Sequence, residues 1–244
     1  MPLTLATITP GEAEIFAAPQ GEGPSAGKAS VFIRLSRCNL ACNWCDTAYT
    51  WRFEGDNHPH RDEATFERKA NQVTLAEDDA AALVAAHGRN RLVITGGEPL
   101  LQGAALARML EQLPDLYVEI ETNGTVAPHP LLDPFVDQYN VSPKLAHSGN
   151  AAELALVPER LAAYAVDPRA WFKFVMADPA DLAEVLALQR NYAIPASRIY
   201  LMPEGRDSAT LRERTEWIAP LCSEHGYNFT DRLHIHLHGD TRGT

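Results

Sequence analysis

The chain is 244 residues long with 45% hydrophobic content, enough for one domain with a full core. Its net charge of −11, with Lys and Arg scattered rather than striped, argues against a nucleic-acid partner, whose phosphates demand a positive footprint. No apolar run reaches the roughly 18–20 residues of a membrane span, and the N-terminus has neither a basic n-region nor an apolar h-region, so a cytoplasmic protein with no membrane partner is expected. Of four cysteines, three are clustered, which points to a metal site in a reducing compartment rather than a disulfide framework.

In chain order, Glu14-Ile15-Phe16 reads as a short strand. Residues 19–28 form a turn-rich loop whose Gly21-x-Gly23 and Gly27-Lys28 lack the spacing and following helix of a dinucleotide or phosphate loop. Residues 31–35 are β-branched, aromatic and apolar, a good strand that leads directly into the cysteines. Residues 53–71 are polar and read as a surface insertion with a short helix near 64–70 and with His58 and His60 in solvent. Thr74-x-x-Glu77 predicts a capping box that opens a helix through about His87, ended by Gly88. Strands follow at 91–95, 116–122, 139–142, 171–175, 198–202 and 233–237. Helices are predicted at 104–113, 131–137, 180–190 and 208–225, the last kinked or ended late by Pro220. The region 145–168 is looser. Strand–helix alternation at this spacing means βαβ units and a mostly parallel α/β sheet; periodicity does not say whether that sheet is open or curled.

The chemistry-bearing residues fall at strand ends, where α/β folds bind ligands. After the 31–35 strand, Cys38, Cys42 and Cys45 stand close enough to converge from one loop. Three thiolates with no fourth nearby suit a [4Fe–4S] cluster with one open iron. The alternatives are a zinc site, which wants four closed ligands, and three plain buried thiols. After later strands come Thr95-Gly96-Gly97-Glu98-Pro99, Glu121-Thr122-Asn123-Gly124, Ser142-Pro143-Lys144 and Met202-Pro203-Glu204. Paired glycines let a ligand touch backbone, and the adjacent Glu98 carboxylate can take an ammonium group.

The cysteine spacing, with Trp44 before the last cysteine, resembles the signature loop of the radical S-adenosylmethionine (SAM) superfamily. The resemblance implies a partial (β/α) barrel as a single domain over 1–244. It also implies a cluster on Cys38, Cys42 and Cys45, and SAM on the open iron. SAM contacts carried over are Gly97, Glu98, Glu121, Asn123, Ser142, Pro143, Lys144, Leu201, Met202, Pro203 and Glu204. Within the superfamily, Gln20-Gly21-Glu22-Gly23, Arg34, Cys45-Asp46-Thr47, the Gly-Gly-Glu-Pro segment, residues 121–125 and Ser142-Pro143-Lys144 recur in this order in the 7-carboxy-7-deazaguanine synthases, which act on the way to queuosine. The family contracts the ring of 6-carboxy-5,6,7,8-tetrahydropterin with loss of ammonia: an electron from the cluster cleaves SAM, the adenosyl radical takes the C6 hydrogen, and SAM is regenerated. On that resemblance Pro19, Gln20, Gly21, Arg34 and Thr95 contact substrate, and Thr47 sits by a Mg²⁺ ion. Residues 226–244 close the substrate site, with Thr244 supplying a terminal carboxylate.

The partners implied are a flavodoxin-like reductant and a second copy in a homodimer. Two other classes compete. His234, His236 and His238 alternate on the predicted 233–237 strand and would face one way, as in a zinc hydrolase. A glycyl-radical-enzyme activase has similar size and the same cysteine spacing.

Overall fold

The computed structural model describes residues 2–244. Its strands alternate between two environments. In β3 (Ala29–Leu35), Val31, Ile33 and Leu35 enter the hydrophobic core, whereas Phe32 and Arg34 face a cavity. Side chains on a strand point to opposite faces with period two, so each strand divides its residues this way. All-parallel sheets usually bury apolar residues on both faces; here one face is polar, and that is what makes room for a site.

In chain order the elements are β1 (Leu3–Ala6), β2 (Ile15–Pro19), β3, α1 (Arg68–Asn71), β4 (Gln72–Leu75), α2 (Glu77–Ala86), β5 (Arg91–Gly96) and α3 (Gly103–Leu110). Then come β6 (Tyr117–Thr122), β7 (Gln138–Val141), α4 (Ala152–Ala155), α5 (Pro158–Val166), β8 (Ala170–Met176), α6 (Asp181–Tyr192), β9 (Ile199–Pro203), α7 (Ser208–His225), β10 (Asn228–Phe229) and α8 (Leu233–His238). The sheet runs β10-β9-β8-β7-β6-β5-β3-β1-β4, parallel from β10 to β3. It has antiparallel β1 and β4 beyond β3, and β2 pairs antiparallel with β3. It does not close on itself: β10 and β4 end the main path, and β2 has β3 as its sole partner. This is the partial α/β barrel expected.

The core lies between the sheet and its helices. Ile94 of β5, Ile120 of β6, Tyr139 of β7 and Phe172 and Phe174 of β8 are fully buried against Val84, Leu106, Met109, Leu161 and Val185. On the other face Glu119, Gln138, Asn140 and Lys173 are buried among one another rather than in hydrocarbon. After β10, α8 and the tail turn back: Leu233 N donates to Gly21 O, and Arg242 reaches Asn71 and stacks on Tyr49 at 3.6 Å.

Several sequence expectations are corrected. Residues 233–237 form a helix, not a strand. Six alternating residues fix no period, and in the helix Ile235 is buried while Leu237, which would share its face in a strand, is exposed. Thr74 does not cap α2, because its backbone pairs with Thr4 in the sheet; the N-cap is Ala76, with no side-chain bond. The looser region 145–168 contains α5, and the predicted helix at 131–137 is only a 3-10 turn at Asp133–Phe135. Pro220 lies inside α7 without ending it; Gly226, at φ 68°, does that.

Candidate active site

β3 ends at Leu35, and the chain turns at Arg37, whose φ of 81° is unusual for a side chain other than glycine. From Cys38 to Asp46 there is no regular structure, so side chains and neighbouring loops hold the backbone. Ala41 N donates to Asn150 Oδ1 at 2.9 Å, Asn43 N to Ser148 O at 2.9 Å, and His60 Nε2 meets Cys45 O at 2.8 Å. His60 is therefore buried against the cysteine loop rather than solvated as the sequence suggested. Arg61 from the same insertion donates to Trp44 O at 2.6 Å.

Each sulfur receives a donor from this scaffold. Leu40 N approaches Cys38 Sγ at 3.5 Å, Asn150 Nδ2 approaches Cys42 Sγ at 3.2 Å, and Trp51 Nε1 approaches Cys45 Sγ at 3.4 Å. Burial pushes the Cys38 thiol up to about 12 and the Cys45 thiol to about 11, and raises Cys42 as well. Such thiols are poor nucleophiles. They become thiolates when a metal displaces their protons, and the N–H donors then stabilise negative sulfur. The donor set therefore fits an iron–sulfur cluster.

The end of β5 packs directly on this loop. A Cβ on Gly96 would lie 2.1 Å from Leu35 O, and one on Gly97 would lie 2.1 Å from Arg37 O and 3.0 Å from Cys38 Cβ. Only glycine fits at either position, because the backbone of the cysteine loop already occupies the space a Cβ would take. Glu98 behaves differently from the expectation. Its carboxylate is fully buried and accepts from Leu100 N (3.0 Å), Asn123 N (2.8 Å) and Thr122 Oγ1 (2.9 Å), so it ties the glycine turn to the end of β6 instead of facing a ligand. Burial pushes this carboxyl up to about 7 against those donors.

The interior polar face continues from there. Gln20 Nε2 donates to Glu119 at 2.6 Å, and Asn140 Nδ2 bridges Glu119 and Glu121 at 2.7 Å each. Lys173 Nζ lies 2.8 Å from Glu121 and 2.5 Å from Glu22. Burial disfavours the Glu22 charge, but Lys173 and Arg232 together hold its carboxyl well below the usual range. Asp46, which is half-buried, is held low chiefly by Arg232. Glu204 is also buried, and is held low by Arg61 and Arg214. Arg34 donates Nε to Glu14 at 2.7 Å, and among the described residues its Nη groups have no protein partner. Lys144 Nζ donates to Ser142 Oγ at 2.9 Å and lies 5.7 Å from the Trp44 ring.

One cavity gathers most of the residues picked from the sequence. Pro19, Gln20, Gly21, Arg34, Thr95, Gly97, Glu121, Asn123, Ser142, Lys144, Met202, Pro203, Glu204 and Thr244 line it together with Cys38, Cys42, Cys45 and Thr47. Glu98, Pro143 and Leu201 do not; all three are buried behind the lining. The sequence reading gave no role to Lys173, Val175, Arg232, Phe32 or Trp51, and gave His234 one only within a three-imidazole metal site; all six line it. The lone Lys in the apolar 170–176 strand was the available signal, since an unpaired lysine there would be costly. The three imidazoles do not converge. His234 enters the cavity, His236 pairs with Asp231 at 3.0 Å, and His238 is exposed. With His236 committed to Asp231 and His238 exposed, the His₃ hydrolase centre is set aside.

A three-cysteine loop at the carboxyl end of a parallel sheet, against a paired-glycine turn and a polar interior, defines a radical SAM domain. The Radical SAM superfamily model matches residues 32–144. Curated relatives named 7-carboxy-7-deazaguanine synthase include one from Pyrobaculum aerophilum, 37% identical over 94% of this chain and 95% of its own. Another, from Rhodopirellula baltica, is 33% identical over 100% and 96%. The crystal structure of QueE from Escherichia coli matches with a TM-score of 0.65 at 24% identity, covering 95% of both chains, which supports the fold. The chain belongs to the 7-carboxy-7-deazaguanine synthase family.

Proposed function

We propose that this enzyme converts 6-carboxy-5,6,7,8-tetrahydropterin to 7-carboxy-7-deazaguanine with loss of ammonia. The observation that carries the reading is the single cavity in which three donor-backed cysteine sulfurs stand across from an arginine with uncommitted Nη groups. A cluster at Cys38, Cys42 and Cys45 with SAM supplies a carbon-centred oxidant of C–H bonds. The chain's own part is to bind, orient and exclude water. Arg34 offers its fork to the substrate carboxylate, the geometry in which guanidinium pairs best. The glycine turn at 96–97 and the 142–144 segment receive the methionyl end of SAM, with Lys144 beside Cys42. Thr47, whose Oγ1 is 3.6 Å from Cys45 Sγ, is the proposed protein ligand for Mg²⁺, an ion that keeps most of its waters and substrate oxygens.

A small substrate is supported by the C-terminal segment, which is bonded to Gly21 and places Thr244 in the lining; a protein substrate, as for an activase, would need that mouth open. Thr244 is proposed to touch the substrate. The working form is read as a cytoplasmic homodimer fed by a flavodoxin-like reductant; no helix among the described residues is long and apolar enough to cross a membrane. Anaerobic reconstitution followed by chromatographic assay of product, with and without Mg²⁺, tests the proposal. Cluster-loaded protein that cleaves SAM but makes no deazaguanine from this pterin would refute it.

A further inference from the structure

Arg232 sits just before α8, and its side chain is buried in the cavity wall. Its N–H groups are directed to three separate segments. Nε donates to Glu22 at 3.1 Å, Nη2 donates to Asp46, and Nη1 donates to the Gly205 carbonyl. His234 stands against Nη2 at 3.5 Å. Glu22 belongs to the turn after β2, beside Gln20 and Gly21. Asp46 lies between Cys45 and Thr47. Gly205 follows Pro203 and Glu204 after β9. In the reading above these are the substrate wall, the cluster wall and part of the SAM wall.

We propose that Arg232 is a positioning residue that fixes these three walls relative to one another, and is not itself a ligand for substrate. Two observations support this. First, its fork is spent on protein acceptors, whereas Arg34, across the same cavity, commits only Nε. Second, its partners are themselves committed: Glu22 Oε2 takes Lys173, so the clamp continues through Lys173 to Glu121 on β6. A planar guanidinium offers several donors in fixed directions, which an ammonium on a flexible stem does not. The three segments share no sheet hydrogen bonds with one another; Arg61 ties the cysteine loop to Glu204, but among the described residues only Arg232 bonds all three. Hydrogen abstraction depends steeply on how substrate and radical source are placed, and that placement is what the clamp sets.

The test has two arms, and only the second rests on the proposed reaction. In the first, hydrogen–deuterium exchange is followed in the cluster-free protein for wild type, Arg232→Gln and Arg232→Lys. Amides that report on the three walls include Gly23 N, bonded to Thr230 Oγ1, Thr50 N, bonded to Thr47 O, and Glu204 N, bonded to Met176 O. Both variants are expected to speed exchange at all three by at least about tenfold, with β5 and β6 amides unchanged. In the second, reconstituted variants should release 5′-deoxyadenosine with product per cleavage reduced by at least about tenfold. Exchange that rises only within 230–238, rises equally in β5 and β6, or does not change overturns the proposal. Should Arg232→Gln fail to fold, Arg232→Lys and Asp46→Asn carry the same test, the latter expected to loosen the cysteine loop first. If wild type makes no product but the exchange pattern appears, the reaction is refuted and the clamp stands.

Discussion

Glu98 offers a sharp test, because two chemistries predict opposite results. If its carboxylate faced a bound amine, Glu98→Gln would leave the free protein intact and weaken SAM binding. In the structure the carboxylate faces inward, with Leu100 N and Asn123 N on different oxygens and Thr122 Oγ1 on both. Glutamine keeps one acceptor oxygen and places an NH₂ where the other stood, so a buried backbone N–H meets a donor. An unsatisfied buried donor costs about 1–3 kcal/mol. The cluster-free Glu98→Gln protein should therefore be less stable by about that amount at pH 5.

The charge adds a pH signature. Burial disfavours the anion and pushes the Glu98 carboxyl in the fold up to about 7, from the ordinary 4.5 of a free glutamate. Between those values the folded protein holds a proton that the unfolded chain has lost, so wild-type stability falls as pH rises through that window, at about 1.4 kcal/mol per unit and about 3 kcal/mol in all. Glu98→Gln has no such slope. Urea unfolding of both proteins from pH 5 to pH 8 should show the wild-type advantage shrinking up to about pH 7 and then holding level. An advantage that grows with pH, or unchanged stability with lost SAM affinity, refutes the inward-facing role.

Other expectations follow from the same geometry. Cys42→Ala should bind less iron and abolish SAM cleavage, whereas Cys222→Ala, buried on α7 away from the loop, should keep full iron content by elemental analysis. Arg34→Ala should raise the pterin KM by roughly 10–100-fold, the equivalent of a lost charge-assisted pair, while the SAM Kd stays level in calorimetry; equal loss of both counts against the assignment. Asn150→Ala removes the donor at Cys42 Sγ and should lower the cluster's reduction potential in a titration followed by electron paramagnetic resonance, since N–H donors favour the more negative reduced state. Lys173→Met removes the only cation paired with Glu121 among the described residues, leaving it Asn140 and Gln20, while Glu22 keeps Arg232, and should cost about 1–3 kcal/mol in denaturant unfolding.

The cysteine spacing, the paired glycines and the strand ends were legible because each is local: a few neighbouring residues state the chemistry and the strand before them states its place. What stayed hidden depends on residues far apart in the chain. Asn150 looks like an ordinary loop residue until it is found against Cys42, over a hundred positions away. Glu98 and Arg232 carry side chains whose direction the sequence does not encode; the first was read as a ligand for an amine and the second had no reading. The 233–237 error has another origin, because apolar alternation over so few residues suits a strand, while the chain there closes local bonds, such as Gly239 N to Ile235 O, that make a helix. Thr74 shows a cap signal losing to sheet pairing, a tertiary override of a local preference.

The cavity also resolves an apparent conflict in charge. A chain of net charge −11 is a poor host for ligands that bring carboxylates. Inside, however, the acids are neutralised in place: Glu22 and Glu121 by Lys173, Asp46 by Arg232, Glu204 by Arg61 and Arg214, Glu119 by Arg91. Two cations line the same space with donors to spare, Arg34 at the substrate side and Lys144 at the cysteine side. In a water-poor site such charges act at short range with little screening, whereas the acidic exterior is damped by salt within about 10 Å. Arg34 is balanced in charge by buried Glu14 but keeps its Nη donors, whereas Lys144 has no carboxylate partner among the described residues, so it is the cation that offsets an anionic ligand in this space.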